Sequence, residues 1–286
     1  KLQRRISMIK NIVGGIAVGI ANVIPGVSGG TMMVILGIFN HLMEVISTIF
    51  KKENDHRKED ILFLAQILLG AAIGLVGFAK ILEFLFNEFP TQTMYWFIGL
   101  IALSIPLFLK DEMEDGKIKI LPLIAGLVII FGLEFLNPGE GTVDVNPTFP
   151  PVTMFLCIKM IFIGMIGGAT MLMPGVSGSM VLLILGEYYL FKSYLAHVTS
   201  FSLQVFIPLG FMGIGILLGI ILSAKVCDFF LKKDKAGFLS FILGLIIASS
   251  LVLIPFDATY NTFVVITSII AFIFGGVIVL GLGKLQ

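Results

Sequence analysis

The chain has 286 residues, of which 57% are hydrophobic and only 13% charged, with a formal net charge of +1. Soluble domains hold about half apolar and a quarter charged residues, so water cannot be the solvent for most of this surface. Lys and Arg fall in short loops rather than stripes, which excludes nucleic acid as a partner. Cys157 and Cys227 sit in apolar segments with no CxxC or His-paired spacing, so neither a disulfide nor a metal is expected, and no cofactor is implied.

The first ten residues carry Lys1, Arg4, Arg5 and Lys10 and run into a Gly-rich segment, which reads as a cytoplasmic anchor rather than a cleavable signal. From 11 to 50 the chain is apolar but broken by Pro25, Gly26, Gly29 and Gly30. Its first piece, 12–24, is short for a crossing that needs roughly 20 apolar residues. Irregular backbone at membrane depth must be buried in protein or line a wet cavity, so a re-entrant helical hairpin is expected over 11–50. Three transmembrane helices follow at 61–86, 94–109 and 118–136. A second hairpin is expected over 152–195, and then spans at 205–230, 238–256 and 263–282.

These elements form two copies of one unit, 1–149 and 150–286. Setting Pro25 on Pro174 aligns Gly15 with Gly164, Gly19 with Gly168, Pro-Gly-Val-Ser-Gly with itself and Ile35-Leu36-Gly37 with Ile184-Leu185-Gly186. After a four-residue shift, Gly70, Gly74, Lys80 and Gly99 fall on Gly215, Gly219, Lys225 and Gly244. A returning hairpin plus three spans gives each copy an odd number of crossings, so the repeats should be inverted. Positive-inside counting points the same way. The basic groups at 1–10, 51–58, 110–119, 232–235 and 284 share one side, and the segments 87–93, 137–151 and 257–262 on the other carry no Lys or Arg, Lys192 being the one clear exception there. Both termini are then cytoplasmic. Reading each opening segment as two full crossings gives the same sidedness. The expected fold is an all-α polytopic membrane protein of two inverted-topology repeats.

Short, interrupted segments at corresponding places in two inverted halves point to a binding site near the bilayer midplane. Pro25-Gly26 and Pro174-Gly175 make the turns. Ser28, Gly29, Gly30 and Thr31 in one copy and Ser177, Gly178 and Ser179 in the other offer hydroxyls and the free N–H groups that open a helix, a set suited to a phosphate. The alternative is that both serines only cap the next helix. Asn22, Lys80, Lys159 and Lys225 are candidate headgroup contacts, with snorkelling to the interface as the other reading for the lysines. Glu134 and Glu187 read as solvated, Glu83 is ambiguous, and His41, His56 and His197 show no metal-like clustering. Gly70-x3-Gly74 and Gly215-x3-Gly219 allow close helix approach, for internal packing or, alternatively, a homo-oligomer.

The doubled Pro-Gly-Val-Ser-Gly, with Gly-Ile-Ala-Asn-Val-Ile before the first and Ile-Leu-Gly after both, resembles the bacterial polyprenyl-phosphate transporters over nearly the whole chain. The resemblance implies a flippase in the bacterial cytoplasmic membrane. It would move undecaprenyl phosphate from the outer to the cytoplasmic leaflet, recycling the lipid carrier of peptidoglycan and other envelope polymers. The rival reading, an integral-membrane undecaprenyl-pyrophosphate phosphatase, has a Pro-Gly-x-Ser-Arg-Ser element in which Gly29 and Gly178 here replace the arginine. Its Glu-rich catalytic segment has no counterpart, since no acidic residue precedes Glu44. A phosphatase needs charge stabilisation and a nucleophile or base, so transport is favoured. A small-anion channel would need a more polar lining than these spans provide.

Overall fold

The computed structural model describes residues 2–23, 28–51, 54–111, 113, 117–137, 149–197 and 202–283. Among the described residues the chain forms twelve α-helices and no strand: α1 (Leu2–Val23), α2 (Gly29–Ile35), α3 (Phe39–Thr48), α4 (Arg57–Glu88), α5 (Pro90–Asp111), α6 (Ile120–Phe135), α7 (Met154–Leu172), α8 (Gly178–Ile184), α9 (Tyr188–Ala196), α10 (Leu203–Lys233), α11 (Lys235–Val252) and α12 (Thr262–Gly283). Six of them, α4, α5, α7, α10, α11 and α12, contain stretches long and apolar enough to cross a bilayer. Large side chains on these helices and on α6 point outward: Val76 on α4 is 74% exposed, Leu121 on α6 81% and Phe155 on α7 77%. An exterior of this kind is stable only in lipid. The protein is a polytopic α-helical membrane protein.

Three elements differ from the sequence expectation. Helix α1 starts at Leu2 rather than near Asn11, because Asn11 Nδ2 donates to Gln66 Oε1 at 2.7 Å and the polar residue is accommodated within the helix. Helix α7 runs 19 residues and is long enough to cross, where a short broken piece was expected. Helix α6 has only 16 residues, about 24 Å at 1.5 Å per residue, short of the roughly 30 Å hydrocarbon core. The residues before it are extended, and the Lys119 N–H goes to Ser240 Oγ at 2.9 Å instead of opening a further turn.

The repeated Ile-Leu-Gly has a clear geometric cause. Gly37 and Gly186 end α2 and α8 at φ +65° and +73°, a left-handed conformation that favours glycine. In both, the glycine N–H bonds back to Val34 or Leu183 and the next N–H to Met33 or Leu182, at 2.9–3.0 Å, closing the last orphan carbonyls. In the first copy α3 leaves α2 at 115°.

Glycine contacts assemble the bundle. A Cβ on Gly15 would lie 2.3 Å from the Ile67 carbonyl oxygen, and one on Gly164 would lie 2.2 Å from that of Met212, so α1 packs on α4 as α7 packs on α10. From the other side Gly70 and Gly74 face the Ile12 and Ile16 carbonyls, and Gly215 and Gly219 those of Ile161 and Met165. All four small-xxx-small glycines are thus spent inside the chain. Two further pairs join the halves: α5 with α12, through Gly99 against Phe272 and Gly275 against Trp96, and α6 with α11, through Gly244 against Leu123 and Gly126 against Phe241. Helix α11 is the most enclosed, with Leu239, Ile242, Leu245, Ile246 and Ala248 all buried.

Gly219→Ala is therefore expected to destabilise by about 1–3 kcal/mol through overpacking against backbone, while Gly77→Ala, with open space at its Cβ, should be neutral or mildly stabilising. Denaturant titration of both variants in detergent checks this.

Asp234 ties the loop between α10 and α11. It accepts from Lys119 Nζ at 2.7 Å and from the Gly237 N–H at 3.0 Å, and these two contacts hold its carboxyl below the ordinary carboxylate range. A carboxyl lowered in the folded state stabilises above its unfolded pKa, about 3.9, and loses that contribution as pH falls through the lowered value. Between pH 5 and 2, Asp234→Asn should therefore flatten the acid dependence of the thermal midpoint, as read by a melting series.

Candidate functional site

Residues 28–31 at the start of α2 meet residues 172–175 at the break between α7 and α8. Residues 24–27, including Pro25 and Gly26, and the side chains of Asn22 and Lys80 lie outside what the structure describes. The described part of the first copy begins at Ser28, which is extended at φ −100°, ψ 138° and caps α2 by accepting from the Gly30 N–H at 3.1 Å. Its hydroxyl also donates across the halves to the Met173 carbonyl at 2.8 Å. One turn on, Thr31 Oγ1 accepts the Gly175 N–H at 2.7 Å. Gly30 packs so closely on the opposite turn that a Cβ would stand 2.6 Å from the Leu172 carbonyl oxygen. Gly175 adopts φ +76°, and its Cβ would meet the Leu245 carbonyl oxygen of α11 at 2.8 Å.

These contacts divide the two copies. Ser28 and Thr31 are buried, at 4% and 1% exposure, and Gly29 and Gly30 lie with them. Both hydroxyls are engaged with backbone, so the first copy acts as a tie between the breaks. The second copy keeps its hydroxyls accessible. Ser177 is half-buried and Ser179 exposed, their oxygens 2.8 Å apart, and Ser177 caps α8 with a long 3.5 Å contact from the Met180 N–H. Gly178 is half-buried between them, facing Thr170.

The lysines are dispersed. Lys159, on the first half of α7, pairs with Glu187 at the start of α9, so Glu187 is an ion-pair partner rather than a merely solvated group. Lys225 is exposed on α10, and Glu134 is exposed on α6. Lys192 lies over the Tyr188 ring at 5.6 Å.

Sequence reading missed the groups that complete the tie, the carbonyl of Met173 and the N–H of Gly175. Backbone atoms carry no residue-type signal. It also left Asn11 and Gln66 aside, although a polar residue inside each of two apolar helices is a sign of a pair.

Thr31→Val should leave a buried N–H unpaired and cost about 1–3 kcal/mol. Ser179→Ala, at an exposed position, should stay within about 0.5 kcal/mol of the parent. Unfolding titration of the two variants in parallel reads the difference.

The sequence profile of the VCA0040-like family, described as undecaprenyl phosphate translocase-like, matches residues 18–280. The polyprenyl-phosphate transporter of Staphylococcus aureus (strain NCTC 8325 / PS 47) is 30% identical over 226 residues, covering 78% of this chain and 78% of its own. The polyprenyl-phosphate transporter of Vibrio cholerae serotype O1 (strain ATCC 39315 / El Tor Inaba N16961) is 27% identical over 200 residues, covering 70% of this chain and 59% of its own. No solved structure matches.

Proposed function

The chain belongs to the VCA0040-like family of undecaprenyl phosphate translocase-like proteins, and we propose that it is a polyprenyl-phosphate transporter whose lipid headgroup passes the junction of its two broken helices. The observation that carries the reading is this junction. Two interrupted apolar segments meet, one spent on holding the other, and the second presents paired hydroxyls at a helix break.

The energetic problem explains the design. A phosphate moving through hydrocarbon loses its hydration, and an unpaired charge at membrane depth costs several kcal/mol or more. Ser177, Ser179 and the N–H groups near Gly178 replace water on the phosphate, while the prenyl tail stays in lipid. The open backbone at the break is tolerable because it is packed on protein, with Gly175 against α11 and Gly30 against the turn. Lys159 and Lys225 collect the anionic headgroup at opposite faces.

Two inverted repeats, each a hairpin with three spans, are part of the same proposal. The paired glycine contacts support it, since α1–α4 and α7–α10 approach through register-equivalent residues and α5–α12 exchanges with α6–α11, Gly99 falling on Gly244 after the four-residue shift and Gly126 on Gly275 in the original register. The Lys and Arg distribution supports cytoplasmic termini in a bacterial inner membrane. Rocking of one repeat against the other would then carry the headgroup from the outer to the cytoplasmic leaflet.

The test is leaflet exchange of undecaprenyl phosphate by the purified chain in liposomes, with phosphate release from undecaprenyl pyrophosphate scored alongside. Exchange without release is expected. Ser177→Ala with Ser179→Ala should slow exchange roughly tenfold or more, since each hydroxyl bond to a charged group is worth about 1.5–3 kcal/mol. Release without exchange would make the chain a phosphatase.

A further inference from the structure

Helices α3 and α9 are counterparts in the sequence register, yet they stand differently against the scaffold. Helix α3 leans across onto α10, where Ser47 Oγ donates to Asp228 Oδ2 at 3.0 Å and the same oxygen accepts Lys232 Nζ at 2.8 Å. Between α3 and its own α4 this leaves a cavity of about 780 Å³, walled by Asn11, Glu44 and Gln66 among others, which His41 and Phe63 bridge with rings 4.6 Å apart. Helix α9 packs instead on α8 and on α10 of its own half, with no comparable packing on α4 among the described residues.

The register sets Asn11 on Met160, Val45 on Tyr194 and Gln66 on Phe211. In the second half the equivalent space is full. Tyr194 is 0% exposed among Leu156, Met160 and Met212, and Phe149 stacks on its ring at 4.9 Å. One scaffold thus holds the same helix in two seats, across with a cavity behind it and home with the cavity filled. Packed elements switch between discrete arrangements rather than deform continuously.

Two features do not suit a permanent core. The Tyr194 hydroxyl is buried with no hydrogen-bond partner among the described residues, which is costly and calls for an explanation. At the same place Glu187, at the start of α9, holds Lys159 of α7.

We infer that α3 and α9 exchange seats, and that α9 on leaving α10 opens a second chamber in which Lys159 and the Tyr194 hydroxyl receive a phosphomonoester headgroup. The inference rests on the transport reading and adds to it a headgroup chamber and the contact that closes it. A phosphomonoester carries about 1.5–2 negative charges, more than the single charge of Glu187, so it competes for Lys159. A ligand favours the state to which it binds better, and the chamber therefore opens when the headgroup arrives. The Ser47–Asp228–Lys232 contact holds the present arrangement.

The test places Tyr194→Cys in the full chain with Cys157→Ala and Cys227→Ala, reconstituted in vesicles and treated with a membrane-impermeant methanethiosulfonate. Labelling is expected, at least tenfold slower once α3 is pinned to α10 by an oxidised Ser47→Cys/Asp228→Cys pair. Undecaprenyl phosphate or inorganic phosphate should change the labelling rate of the unpinned protein, by opening the chamber or by occupying it; a change with the lipid alone assigns the chamber to the carrier, and a change with both to any phosphate. Labelling that is absent, or indifferent to the pin, overturns the exchange of seats. Labelling indifferent to both phosphates overturns the headgroup site. Tyr194→Phe keeps the ring, so its thermal midpoint should not fall while exchange drops at least fivefold; unchanged exchange overturns the hydroxyl's role. Leaflet exchange by the unmodified chain in the same vesicles decides the transport reading separately.

Discussion

Backbone hydrogen bonding without water is the constraint on which this structure depends. A helix broken inside the bilayer exposes N–H and C=O groups that lipid cannot satisfy. Where α2 starts beside the break between α7 and α8, Ser28 caps its own helix and reaches Met173, and Thr31 takes the Gly175 N–H. Gly30 and Gly175 are required for the approach, since a Cβ at either would overlap opposing backbone.

The same economy governs the rest of the bundle. Apolar side chains gain little by leaving lipid, so helices associate by close van der Waals packing. Glycines at matched positions let α1 approach α4, α7 approach α10, and α5 and α11 approach α12 and α6. Large apolar residues are left for the outside. Polar side chains appear where they pair, as with Asn11 and Gln66 or Gln92 and Thr267.

Against this regular scaffold the two Pro-Gly-Val-Ser-Gly regions are asymmetric. One copy of the repeated segment is buried as a tie and the other keeps accessible hydroxyls, and α3 and α9 take different seats. Near-identical segments in one chain adopt two environments because each is completed by a different neighbour.

The membrane class and most helices were legible in the sequence, because hydropathy over a span reports the solvent of each segment directly. The repeated glycines and the Ile-Leu-Gly stops were legible too, since each demands a backbone that favours glycine. The lengths of α1, α6 and α7 were not, because Asn11 is matched by Gln66 and the Lys119 N–H by Ser240, partners far away in the chain. Ser28 and Ser177 have the same sequence context, and only tertiary packing makes the first a buried tie and the second half-open. Sequence alone determined which residues are able to hydrogen-bond, and the fold decided which of them are already engaged, because engagement depends on neighbours that the local chain does not specify.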